Sequence, residues 1–215
     1  MGPYTWALVA DALRARDRPA NVPAVRSREH QGPPYWERHV QAITGGVDQH
    51  DAHEIILVAH SGAGRLLPII GERLQARVAM YVFVDSDIPT KTESRLDAMP
   101  NEVAQQFRDA ATEGLLPPWP EEVFKHEIHD ETMRGRLVAE LAPLPLAVYE
   151  EPIPLSDSWP DAPCGYVRLS DKYSAAEARA EAEGWPIHRF GGDHFFILVE
   201  PEAVASALLD ITSDC

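Results

Sequence analysis

Cysteine is nearly absent: Cys164 and Cys215 are the only two in 215 residues. One follows a proline at a predicted strand start and the other is the last residue. Such a pair makes neither a disulfide framework nor a zinc site, and it suits a reducing compartment. Positive charge is scarce as well. Nineteen Lys and Arg stand against 34 Asp and Glu, a formal net charge of −15. Nucleic acid, whose phosphates reward clustered basic residues, is excluded as a partner on this balance. Anionic lipid is disfavoured for the same reason. The acidic excess reads as a solvated surface and does not identify a substrate. No apolar run is long enough to span a bilayer, so no membrane partner is expected. The opening Met1-Gly2-Pro3-Tyr4-Thr5-Trp6 lacks the basic and apolar regions of a signal peptide. The expectation is a cytoplasmic protein. Internal repeats and low-complexity tracts are missing too.

What remains is ordinary globular material, 45% hydrophobic and 25% charged. The length fits one domain, 1–215, with ample core. Trp6, Leu8, Val9, Ala12 and Leu13 recur at helical spacing and predict a first helix over Thr5 to Arg16. A short apolar stretch, Ala20 to Val25, predicts a strand despite its prolines. Trp36, Val40 and Ile43 mark a second helix from about Pro34, broken at Gly45-Gly46.

Glu54 to Ala59 is a continuous apolar run, the pattern of a strand covered on both faces in a parallel sheet. A helical pattern follows over Leu66 to Leu74, then a second strand over Val78 to Val84. Strand, helix and strand in alternation predict an α/β layer fold. Residues 86–143 are rich in charge and proline, with helical pieces near Asn101 to Thr112 and Pro120 to Leu141. So long a connection exceeds a simple crossover and predicts an inserted lid. Strands are expected again at Leu144 to Tyr149, Gly165 to Leu169 and Pro186 to Phe190. A helix over Pro201 to Ile211 closes the chain.

Two segments carry chemistry. The first is Ala59-His60-Ser61-Gly62-Ala63, which departs from Gly-x-Ser-x-Gly only in its two outer alanines. A serine on a tight strand-to-helix turn has its oxygen exposed, and the crowded turn demands small neighbours. The helix N-terminus that follows points amides at a developing anion. The bland alternative is a phosphate-binding or merely tight turn, and the strand before and helix after favour the nucleophile. The second segment is Gly191-Gly192-Asp193-His194-Phe195-Phe196, between the last strand and the last helix. A serine hydroxyl needs a base within hydrogen-bond reach, and histidine suits that role. The phenylalanines can anchor the loop.

The order of serine turn, inserted lid and late Gly-Gly-x-His-Phe segment resembles the α/β-hydrolase superfamily. Within it, the chain is similar to small bacterial hydrolases related to the plant methylesterase and hydroxynitrile lyase group. The resemblance implies a three-layer α/β-hydrolase fold, mostly parallel in its sheet, with a helical lid insertion. It implies Ser61 as nucleophile, His194 as base and the Gly62 amide as oxyanion donor, with no metal and no cofactor. The carboxylate of such enzymes usually follows the strand two elements before the histidine, which points to Asp171. Its alternative is a loop aspartate capping the helix near Ser174. Asp85 and Asp87 are further candidates, and Glu150 and Glu151 weaker ones. His60, Trp119 and Phe195 are candidate substrate contacts. Phe107, Phe124, Leu115 and Leu116 join Trp119 as candidates to line an apolar pocket or to form lid core.

The chain departs from the family at its start. The first helix begins almost at once, and Gly2-Pro3-Tyr4 matches the tail of an oxyanion loop whose strand is not in the sequence. An N-terminally shortened fold is therefore expected, with one oxyanion donor where two are usual. The exposed sheet edges invite pairing with another chain, so a homo-oligomer is among the expectations. Three functions follow. The first is hydrolysis of an ester or related acyl bond of a small organic molecule. The second is lyase or isomerase chemistry on the same Ser-His pair. For a cyanohydrin, that chemistry requires a cation near Ser61, and the sequence assigns none. The third is a weak or vestigial binding protein.

Overall fold

The computed structural model describes residues 2–25, 32–47 and 52–213; Cys215 lies outside them. Helix α1 (Tyr4–Arg14) leads into α2 (Tyr35–Val47), strand β1 (Glu54–Ser61), a 3-10 turn (Gly62–Leu66) and α3 (Leu67–Arg73). Strand β2 (Arg77–Ser86) is followed by α4 (Asn101–Ala110), β3 (Leu115–Leu116), α5 (Glu131–Val138), β4 (Leu144–Pro145) and α6 (Ala147–Glu150). The chain ends with β5 (Cys164–Arg168), α7 (Ser174–Ala182), β6 (Ile187–Arg189), α8 (Phe196–Val199) and α9 (Pro201–Ile211).

Strands β1, β2, β5 and β6 form a parallel sheet in that order. The layering follows from the two-residue period of a strand. In β2, Met80, Val82 and Val84 face one way and meet Val9 and Ala12 of α1 and Val204 and Leu208 of α9. Tyr81 and Phe83 face the other way, against Val40 of α2, Ile69 and Ile70 of α3 and Ala180 of α7. Helices therefore cover both faces, which is the three-layer arrangement expected. The apolar face of α1 repeats at Thr5, Val9 and Ala12, and Pro201 begins α9 where a missing N–H costs nothing.

Three sequence expectations differ from this architecture. Residues 20–25 form no strand: Pro19 and Pro23 lack the N–H a ladder needs, and the Ala20 carbonyl is taken by the Arg14 guanidinium. The second helix continues through Gly45-Gly46 to Val47, because two glycines in its last turn weaken a helix without ending it. Leu144-Pro145 does not join the sheet; it pairs antiparallel with Leu115-Leu116, and Ala147–Glu150 is a helical turn. The sheet resumes only at Cys164. The connection between β2 and β5 thus runs from Asp87 to Pro163, held on the first face by Phe124, Ile128 and Leu137.

Among the described residues, β1 is an edge strand with no neighbour beyond it. The Tyr4 amide, at the candidate oxyanion tail, donates to both Glu140 carboxylate oxygens, at 3.2 and 3.0 Å. No helix among those residues is long and apolar enough to cross a membrane.

Candidate active site

Parallel strands deliver their C-terminal ends to one rim, and the polar side chains converge there. Ser61 closes β1 with φ of 59°, a region that L side chains rarely adopt unless their surroundings hold them. Its register partner is Ser86 of β2, whose hydroxyl donates to the Ser61 carbonyl. The turn beyond is too tight for a side chain at Gly64, where a Cβ would sit 2.1 Å from Ser86 Oγ and 2.6 Å from the Asp87 carbonyl oxygen.

His194 arrives on the loop after β6. The Gly192 amide donates to the Leu169 carbonyl at 3.0 Å and the Phe195 amide to Glu127 at 2.9 Å. These bonds fix the loop on both sides of the imidazole. His194 Nε2 lies 3.0 Å from Ser61 Oγ and Nδ1 lies 2.7 Å from Asp85 Oδ2. Asp85, at the end of β2, is fully buried with φ of 41°. Its Oδ1 accepts the amides of Leu169 (3.2 Å) and Ser170 (2.9 Å), and Oδ2 accepts the Ser170 hydroxyl (2.7 Å).

Burial alone would raise the Asp85 carboxyl, but the hydrogen bonds from His194 and from the Ser170 hydroxyl and amide outweigh it. They hold the group below the usual carboxylate range. An ionised carboxylate only accepts, so Nδ1 carries the imidazole proton and Nε2 is left to accept from the Ser61 hydroxyl. The Tyr173 hydroxyl, 3.0 Å from Ser61 Oγ, then donates to it. The Tyr173 ring also stacks on His194 at 5.5 Å.

A family model described as the alpha/beta hydrolase family matches residues 1–207. The chain belongs to that family. A carbendazim hydrolyzing esterase from Nocardioides sp. strain SG-4G is 25% identical over 189 residues, 80% of this chain and 77% of its own. An extracellular alpha/beta-hydrolase from a Paenibacillus species superposes with a TM-score of 0.80 at 18% identity, covering 98% of this chain and 94% of its own. A methylesterase from Arabidopsis superposes at 0.73 with 13% identity, covering 100% and 95%. The protein is accordingly an enzyme of the α/β-hydrolase kind.

In this hydrolase the carboxylate beside His194 is Asp85, so the assignment to Asp171 is corrected. Asp171 points outward, 89% exposed, and pairs with Arg168. Extended backbone at Ser170 turns that serine inward, where it caps the following turn by accepting from the Lys172 amide. The cap expected of Asp171 is therefore also Ser170. Asp87 lies near Arg65 and Arg95, and burial raises its carboxyl despite them. Glu150 pairs with Arg108 at 3.8 Å, and Glu151 accepts the first amides of α2 from Tyr35 and Trp36.

The candidate substrate contacts fare differently. His60 and Phe195 are both buried and both pack on the His194 ring. The His60 ring stacks on His194 at 4.3 Å, and its Nε2 donates to the His194 carbonyl at 3.0 Å. Phe195 packs edge-on against Phe124 at 5.2 Å, anchoring the loop. Trp119 stands 48% exposed, edge-on to Phe107. Leu116 and Phe124 are buried as core, while Leu115 is exposed. His60, Asp85 and His194 bring three ligand-type atoms within 4.8 Å. Hydrogen bonds engage them: Asp85 with His194 Nδ1, and His60 Nε2–H with a carbonyl. The donor set is that of a proton relay with a packed neighbour.

Burial, and then repulsion from His194, push His60 down to about 3. Between its ordinary range and that value the unfolded chain binds a proton at His60 that the folded chain does not. Stability therefore falls as pH drops through this window, at ~1.4 kcal/mol per pH unit from this group alone. His60→Gln keeps a donor for the His194 carbonyl and is expected to flatten the acid limb of a urea-stability profile between about pH 6 and 4. Parallel profiles for the two proteins would contradict this.

Sequence reasoning missed Ser170, Tyr173, Glu127 and Arg95. Ser170 and Tyr173 flank Asp171, the first choice of acid, but they serve the site by binding Asp85, one of the alternatives, and Ser61. Glu127 and Arg95 lie in the long connection, where no periodicity marks them. Arg95 supplies the cation near Ser61 that the sequence did not reveal: a Cβ on Gly62 would sit 2.3 Å from its Cζ.

Proposed function

We propose that the protein is a serine esterase acting on esters of small organic molecules through Ser61, His194 and Asp85. The observation that carries this reading is the unbroken hydrogen-bond chain from Asp85 through His194 to Ser61. Ser61 Oγ attacks the carbonyl carbon while its proton passes to His194 Nε2. Asp85 stabilises the resulting imidazolium without taking the proton. The Gly62 amide, at the start of the turn, receives the oxyanion. Collapse of the tetrahedral intermediate expels the alcohol oxygen, which takes the proton from His194. Water, deprotonated by the same imidazole, then releases the acid. Tyr173 gives up its bond to Ser61 as the substrate carbonyl takes its place.

The esterase name of the Nocardioides relative supports the reaction class. The complete hydrogen-bond chain favours turnover over a vestigial site. Arg95 beside Gly62 answers the charge requirement of a lyase, so product analysis matters. Short-chain p-nitrophenyl and methyl esters are the test, with products identified. Acid and alcohol in equal amounts are expected. Folded protein that turns over none of them contradicts the reading. A cytoplasmic location is proposed with it, on the scarcity of cysteine in the sequence.

A further inference from the structure

Arg95 has no part in the ester mechanism, yet it packs on the residue after Ser61. Its guanidinium lies against the residue after Ser61: a Cβ on Gly62 would fall 2.3 Å from Cζ and Nη1 and 2.6 Å from Nη2. Its other side rests on Tyr149, with Cζ 4.7 Å from the ring centroid. Tyr149 tilts against Phe107 at 5.0 Å, and Phe107 meets the exposed Trp119 at 6.3 Å. A line of aromatic rings thus runs from the surface to the guanidinium.

A guanidinium offers five N–H donors and no acceptor. Among the described residues none of the five has a hydrogen-bond or ion-pair partner, and Nε is shut off from solvent. The nearby carboxylates do not fill the gap. Glu93 is held by Arg65 at 3.3 Å and by Lys91 at 3.4 Å. Asp87 feels the Arg95 charge without pairing to it, and its own burial raises its carboxyl. The buried Nε is left unpaired at a cost, while the two terminal nitrogens stay open to a ligand. The planar fork matches a carboxylate in two parallel hydrogen bonds.

We propose that Arg95 forms an anion subsite beside Ser61, so that this hydrolase selects esters bearing a free carboxylate a few bonds from the scissile carbonyl. Half-esters of short dicarboxylic acids have that form. The inference rests on the Ser61 esterase reading and names its substrate class. Tyr149, packed on the far side of the guanidinium and backed by Phe107, holds the fork in place against Gly62.

The test compares monomethyl succinate with methyl pentanoate, similar in length and different in charge, on wild type, Arg95→Gln and Arg95→Lys. Wild type is expected to favour the anionic ester. Arg95→Gln lowers the ratio of kcat/KM, anionic over neutral, by roughly ten- to a hundredfold, mainly through KM. Arg95→Lys keeps the charge but not the fork and falls between. Added salt narrows the wild-type ratio. Equal losses on both esters overturn the proposal, because Arg95 then serves the reaction itself; an unchanged ratio overturns it as well. Fluorophosphonate labelling of Ser61 keeps the two claims apart. Labelling without anionic preference overturns the subsite alone, and folded protein without labelling overturns the esterase reading and the subsite with it.

Discussion

Asp85→Asn is expected to lower kcat on a short-chain ester by about four orders of magnitude, while Asp171→Asn stays within about twofold. The asparagine has the shape of the aspartate but neither its charge nor its purely accepting oxygens. Its amide donates toward His194 Nδ1 and so favours the tautomer with hydrogen on Nε2. That hydrogen points at Ser61 Oγ, and the serine proton loses its acceptor. The imidazolium formed on attack also loses its counter-charge. Asp171, exposed and paired with Arg168, touches neither nitrogen of the imidazole. Both variants are read by steady-state kinetics, with near-UV circular dichroism reporting the packing. A large loss in Asp171→Asn with activity kept in Asp85→Asn would reverse the assignment.

Ser61→Ala is expected to remove about six orders of magnitude, as is His194→Ala, and the double variant is expected to lose little more than either. The three values agree because the pair acts as one device: without the base the hydroxyl is inert, and without the hydroxyl the base has nothing to activate. Alanine accepts the Ser61 backbone no less readily than serine, so the turn should survive. The residual rate would come from the Gly62 amide and from binding alone. Additive losses in the double variant would mean that the two side chains act independently.

The layer fold was legible because its signal is local. The runs at 54–59 and 78–84 have the strand pattern, and both strands stand where it put them, extended by a few residues. Ser61 and His194 were legible as well, each in a tight connection between elements with glycines close by. The acid was not, because its identity is decided by three-dimensional neighbours. Asp85 stands at the end of one strand and Asp171 follows another on the same rim, and the choice turns on which of them the Ser170 backbone and hydroxyl reach. Leu144-Pro145 misled because two residues suffice for a ribbon with Leu115-Leu116, a pairing that no periodicity announces. Arg95 was invisible for a related reason. A lone arginine in a charged connection has no sequence mark that distinguishes a solvated side chain from one folded back onto the serine turn.

The most direct test of the Ser61–His194–Asp85 reading is reaction of the folded protein with a fluorophosphonate, with the adduct located by peptide mass spectrometry. The account predicts a single adduct, on Ser61, forming at a rate that collapses in His194→Ala and Asp85→Asn and holds in Asp171→Asn. An adduct elsewhere, or folded wild-type protein that takes up no label, would contradict it.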